Sequence, residues 1–210
     1  MGEEFNRNII SSQNVTEFVT VVGEYCVFVE NTLRFSKKSF LDKARRLLPL
    51  IYLKASLIPK FDSVFEAENE KFVTEEEWDI IKDSVKQKLG FHDEYREVYD
   101  PLTHEQLEQS SASISDNLAD IYQDLKNFVS LFSAGTEDVM NDTLWECQLN
   151  FEEFWGQKLL NALKAIHAIY FGEENLDEEE DEEKTKDSSD HIDTTNWILS
   201  KRQVDHRKGE

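Results

Sequence analysis

From residue 14 to residue 171 the large apolar side chains return at intervals of three and four, in one segment after another, and that period admits little besides helices. Val15, Phe18, Val19, Val22, Tyr25, Cys26 and Val29 define the first such face. Valine suits a strand, yet the adjacent pairs Phe18-Val19 and Val21-Val22 break the alternation a strand needs, so period outweighs propensity. Asn14, with Glu17 three residues on, is the expected capping box of this helix. Val21 and Phe28 widen its apolar surface and place it inside a bundle.

A second helix is expected from Ser36, with Phe40, Leu41, Ala44, Leu47, Leu48, Ile51, Tyr52, Ala55 and Ile58 in register. The register runs through Pro49, which predicts one kinked helix instead of two. Leu50, Leu53 and Leu57 make its second half apolar nearly all round, so that half is expected at the centre of the core, with Pro59 ending it. Thr74 and Glu77 form a second capping box, for a helix that passes through Trp78, Ile81, Val85 and Leu89 to Gly90. Residues 91–113 read as a long connection with room for one short helix. A fourth helix over residues 114–132 turns Ile114, Leu118, Ile121, Leu125, Phe128, Val129 and Phe132 to the core, and Gly135 stops it.

Thr136 opens a fifth segment that reaches Phe171, and its apolar side chains fall on two stripes. Met140, Leu144, Cys147, Phe151, Phe154 and Trp155 share one; Leu159, Leu163, Ile166 and Tyr170 lie about a quarter-turn round. The phase shift at Trp155-Gly156 predicts a kink or an extra-residue bulge there. The expected fold is all-α, an antiparallel helical bundle of five or six helices.

The pattern stops at Phe171-Gly172, and residues 173–183 hold nine acids in eleven positions. Mutually repelling acids cannot bury enough apolar surface to fold, so one domain is expected over 1–172 and a disordered acidic tail over 173–210. Near the end of the tail, Trp197, Ile198, Leu199 and Val204 interleave with Lys201, Arg202, Arg207 and Lys208, a short amphipathic segment suited to docking, although an extension of no role is the favoured reading. The tail carries 14 acids and 6 bases, which leaves 30 acids and 17 bases in residues 1–172, a net charge of −13. Phosphate backbones and anionic membrane surfaces are poor partners for such a body. The natural partners are basic surfaces such as a basic protein, cations, or none. Cys26 and Cys147 sit in apolar helical stretches and read as reduced core thiols. No signal peptide is legible and no apolar run approaches the roughly 20 residues that span a bilayer, so the expected location is cytoplasmic.

Candidate chemistry is sparse. Lys158 lies along the stripe of Met140, Phe151 and Phe154, where a cation needs a carboxylate partner or must snorkel to water; the second is the simpler reading. Asp116, Asp120 and Asp124 form a column on the fourth helix. With Asp120 well off the core stripe and Asp124 at its edge, a solvated surface is preferred over a metal site. His167 falls opposite the main stripe, and His92 and His104 bracket the tyrosine-bearing connection near Asp93, Glu94 and Glu97 without specifying a site. There is no Glu-x-x-His, His-Glu-x-x-His, Gly-x-Ser-x-Gly, paired Cys-x-x-Cys or glycine-rich phosphate loop. No cofactor, metal or catalytic residue is assigned.

Leu118-Ala119-Asp120-Ile121-Tyr122-Gln123-Asp124-Leu125, then Asn150-Phe151 and Trp155-Gly156-Gln157-Lys158-Leu159, resemble the helical family designated domain of unknown function number five thousand and sixty-three. Asn14 through Val21 and Leu47 through Ala55 are similar to its other blocks, so the resemblance covers about residues 12–171. It implies a helical domain of this size and transfers no catalytic residue. It singles out Asp120, Tyr122, Asp124, Trp155 and Lys158 as the candidate polar cluster. Two functions are consistent with these features: a non-enzymatic interaction module that binds a basic partner through acidic surfaces, which is preferred, or a small-molecule or metal-binding domain, an enzyme included, with that cluster as a site between the fourth and fifth helices. Two-sided apolar helices leave room for a dimer.

Overall fold

The computed structural model describes residues 8–65, 69–97, 110–172 and 176. The chain divides into two units, Met1–Glu174 and Asn175–Glu210, and the helical bundle is the first of them. The acidic tail and His104 lie outside the described residues.

The all-α bundle is as expected. Helix α1 (Gln13–Glu30) starts from Ser12, whose hydroxyl accepts from the Val15 amide. The expected Asn14–Glu17 box does not form. Glu17 instead meets Lys54 Nζ at 2.5 Å, and Asn14 donates to the Leu57 carbonyl, so both side chains fasten the neighbouring helix instead of capping their own. Helix α2 (Lys37–Ser56) is capped by Ser36 and continues through Pro49, which stays in one helix. Its second half is not central to the core. Leu48, Ile51 and Ala55 are buried against neighbours, while Leu50, Leu53 and Leu57 stand 40%, 52% and 46% exposed. The helix packs on α1 and on the last helix, and two neighbours cover one side of a cylinder only.

Helix α3 (Glu75–Leu89) carries the capping box of Thr74 and Glu77 and buries Ile81, Val85 and Leu89. Gly90 ends it at φ +59°, a left-handed conformation that glycine adopts without strain. Of the expected long connection, residues 98–109 lie outside the described residues, and its two described ends are ordered instead of irregular. After a 3-10 turn at Gly90–His92, strand β1 (Glu94–Glu97) pairs antiparallel with β2 (Ser110–Ser113), Tyr95 opposite Ala112. A serine-rich stretch has weak helical preference, and a paired partner satisfies its backbone.

Helix α4 (Ile114–Ala134) is the axis of the bundle, packed against α1 and α3 and against the two remaining helices, α5 (Glu137–Asn150) and α6 (Gly156–Tyr170). Its N-terminus is anchored by Asp93, a buried carboxylate that accepts from the Ser115 amide at 2.7 Å and from the hydroxyls of Ser115 and Ser113 at 2.7 and 2.9 Å. The positive end of the helix dipole favours that charge. Tyr25 ties α1 to the same helix by donating to the Leu118 carbonyl at 2.8 Å. The connection between α2 and α3 is held by side chains of α4 and α5. Asp142 accepts the amides of Val64 and Phe65 at 2.5 and 2.6 Å, and Asn127 accepts those of Phe72 and Val73 at 2.7 and 2.9 Å.

Between α5 and α6 the chain makes a π-helical turn, Phe151–Trp155, with the Gly156 amide donating to the carbonyl five residues back. The phase shift in the sequence therefore has the form of one extra residue in a continuous helix. Phe154, expected on the core stripe, is swung out to 44% exposure, while Trp155 becomes fully buried and donates to the Cys147 carbonyl at 3.2 Å. Cys26 and Cys147 are free and buried, and burial pushes the Cys26 thiol up to about 12. Among the described residues, no helix is long and apolar enough to cross a membrane.

The π turn depends on Gly156. A Cβ there would overlap the Phe151 carbonyl oxygen and stand 2.9 Å from its ring. Glycine to alanine inside a helix ordinarily stabilises by up to about 1 kcal/mol. Here Gly156→Ala is expected to destabilise by about 1–3 kcal/mol, the usual cost of overpacking. Urea denaturation of the two proteins reads the sign directly.

Candidate functional site

On α4, residues four apart stack on one side, and Asp116, Asp120 and Asp124 rise along it as the sequence implies. The expected solvated surface holds only for the first of them, Asp116, whose side chain is 42% exposed, whereas that of Asp120 is 19% exposed. Each carboxylate reaches across to another helix. Asp116 meets Lys82 of α3 at 2.7 Å. Asp120 accepts from Trp78 Nε1 of α3 at 2.9 Å and from Lys158 Nζ of α6 at 2.5 Å. Asp124 accepts from Asn150 Nδ2 of α5 at 3.0 Å. Lys158 therefore does not simply snorkel to water: its ammonium lies on Asp120 and 4.6 Å over the Phe154 ring.

The π turn explains why Asn150 and Lys158 serve neighbouring aspartates. Eight residues of regular helix would set them about 80° apart. Absorbing one extra residue removes about 100°, which leaves them within about 20° of one face. The segment then runs antiparallel to α4, Asn150 beside Asp124 and Lys158 beside Asp120, as rungs of one ladder.

The five candidate residues do not form one cluster. Lys158 pairs with Asp120 rather than Asp124. Tyr122 points to α1, donating to Glu30 at 3.0 Å, where Lys126 also binds at 2.7 Å. Burial, followed by the nearby Glu30 carboxylate, pushes its phenol well above the ordinary range. Trp155 is a core side chain. What remains between α4 and α5 is Asp124 with its surroundings. A cavity of about 10 Å³ opens there, bounded by Asn127, Thr143, Glu146, Cys147 and Asn150 and roofed by residues 69–71. Such a volume admits about one water molecule. Asn69 and Lys71 of the roof are held by Glu146. Asp124 Oδ2 and Thr143 Oγ1 are buried beside it without a hydrogen-bond partner. Burial pushes the Asp124 carboxyl up to about 6; Glu146 and Asp120 add to this, and Asn150 and Lys71 oppose it.

The two described histidines play no part in this region. His167 is exposed against Phe171, and His92 stacks on Phe91 at 3.9 Å. Among the described residues, no group of three or more His, Cys, Asp or Glu is placed to hold a metal ion. The residues that sequence reasoning missed are Trp78, Asn150 and Glu30, each the distant partner of an expected one.

A family model described as a domain of unknown function, DUF5063, matches residues 9–172. The chain belongs to the DUF5063 family. The match contains the whole aspartate column, its partners and the π turn. The crystal structure of protein BF1032 from Bacteroides fragilis is similar to this DUF5063 chain, with 37% sequence identity and a TM-score of 0.71 over 79% of this chain and 98% of that one. No curated protein matches it.

The raised carboxyl of Asp124 has a measurable consequence. An unfolded aspartate titrates near pH 4 and the folded one near 6, so between these values the folded chain keeps a proton that the unfolded chain releases. Stability contributed by the neutral form falls as pH rises through this window and is gone above it. Asp124→Asn keeps the shape and the neutrality. It is expected to exceed the parent in stability by about 1–3 kcal/mol at pH 7.5, with the difference shrinking toward zero as pH falls from 6 to 4. Thermal denaturation at several pH values checks this.

Proposed function

We propose that this DUF5063 domain is a non-catalytic protein-interaction module that takes a basic partner on the outer face of α3. The observation that carries the reading is Ile80, 57% exposed at the middle of that face, with Glu76, Asp79 and Asp83 exposed around it. An apolar anchor ringed by like charges suits a partner that presents a hydrophobic contact among lysines or arginines. Capping box and buried stripe hold α3 in place against α4, so the face is offered without a folding cost on binding. The net charge of −13 in residues 1–172 steers basic partners toward it over a Debye length. The carboxylates of the α4 column, Asp116, Asp120 and Asp124, each hold a partner on another helix, which further favours a surface function over an interior site.

The second reading, a ligand site between α4 and α5, has the Asp124 cavity in its favour. Its volume limits the ligand to the size of water, well below the several hundred Å³ that metabolite sites occupy.

Affinity capture from lysate at low and moderate salt tests the leading reading, with the full chain compared with Glu76→Lys/Asp79→Lys/Asp83→Lys. A basic protein is expected on the parent at low salt, lost on raising salt and absent from the triple variant. Capture that resists salt, or that survives the charge reversal, rejects α3 as the contact.

A further inference from the structure

Charge is unevenly placed in this acidic domain. Residues 34–54 carry seven bases and the single acid Asp42, a net of +6, while the remainder of residues 1–172 carries 10 bases and 29 acids, a net of −19. The basic stretch is α2 with the turn before it. On the outer face of α2, Lys43 and Arg46 are exposed along the first half. Leu50, Leu53 and Leu57 continue the same face along the second half, at spacings of three and four, all substantially exposed. Apolar side chains at this spacing are what a helix offers to another helix packed alongside it.

The face is rigidly presented. Lys54 on Glu17 and the Asn14 bond to the Leu57 carbonyl clamp the leucine end of α2 to α1. Phe28 and Phe40 stack at 5.0 Å beneath its basic end. Arg45 leaves the outer face altogether and lies 4.3 Å over the Tyr170 ring, which binds α2 to α6. Binding here therefore requires little ordering of this chain, and the chemistry of the occupant is set by the two halves. A row of leucines calls for apolar side chains at helical spacing. Lys43 beyond them, and Arg46, which meets Asp42 at 3.0 Å yet stays 68% exposed, call for carboxylates one or two turns further along the partner.

We propose that the outer face of α2 docks an acidic amphipathic helix of a partner protein, its apolar stripe on Leu50, Leu53 and Leu57 and its carboxylates on Lys43 and Arg46. The site is separate from α3 and opposite to it in charge preference, so it stands or falls independently of the basic partner proposed above. A second copy of this chain as the occupant is the outcome that light scattering would reveal.

The test uses the full chain and two fluorescent probe peptides with identical leucines at three- and four-residue spacing, one flanked by glutamates and the other by lysines. Anisotropy is read for the parent, Leu53→Ser, Lys43→Glu/Arg46→Glu and, as a control, Glu76→Lys/Asp79→Lys/Asp83→Lys, each checked for folding by circular dichroism. The acidic peptide is expected to bind the parent, to lose about tenfold in affinity or more with Leu53→Ser and with the α2 charge reversal, and to keep at least its parental affinity on the α3 variant. Equal binding of the acidic peptide to the parent and Leu53→Ser overturns the proposal. So does a parent that binds only the basic peptide. Light scattering on the parent and Leu53→Ser adds the remaining outcome: a dimer abolished by the substitution assigns the face to self-association and overturns the partner helix.

Discussion

Three carboxylates rise along one side of a helix that is packed against four others, and a charge so placed must find a donor or a cation. Asp116, Asp120 and Asp124 find theirs on α3, α6 and α5. The apolar stripe of α4 brings the neighbouring helices together without direction, since burial of Leu118, Ile121 and Leu125 tolerates sliding and rotation. The aspartate column adds direction: each rung specifies which turn of a neighbour lies opposite which turn of α4. The π turn meets the same requirement, because without its extra residue Asn150 and Lys158 would not face one column.

A similar economy governs the connections. Asn127 and Asp142 are polar residues inside the bundle, and each accepts two backbone amides from a segment that is not helical, while Asp93 accepts the Ser115 amide at the start of α4. Backbone donors left unpaired in a buried place are costly, and a short carboxylate or amide accepts two of them at once. The described parts of the connection, residues 57–65 and 69–74, can thus lie across α4 and α5 and close the space beside Asp124 without a helix among them. Asp124 holds the weakest of these positions. Its partner is a neutral amide, and the carboxyl is raised as a result of its burial.

The outside of the molecule is organised by sign. Acidic residues ring Ile80 on α3, and basic residues precede Leu50, Leu53 and Leu57 on α2, so two helical faces of opposite charge are presented by one rigid scaffold. Neither face competes with the core for residues, because α2 and α3 each bury a different stripe.

Period and punctuation alone determined the helices of this DUF5063 domain. The Thr74–Glu77 box, the stop at Gly90, the passage through Pro49 and the phase shift before Gly156 are all local, and local sequence carries them. The candidate residues were legible as types and positions, Asp120 and Lys158 above all, because helical spacing says which side of its own helix a residue occupies. It does not say which helix lies opposite. That is why the aspartates read as solvated when they are paired, why Leu50, Leu53 and Leu57 read as core when they are outside, and why Asn14 and Glu17 read as a cap when they hold α2. A side chain's partner across the bundle is set by how helices far apart in sequence pack, as with Asp120 and Trp78, 42 residues apart. Such pairing is a property of the assembled bundle, where burial makes an unpartnered charge costly, and only the tertiary structure decided it.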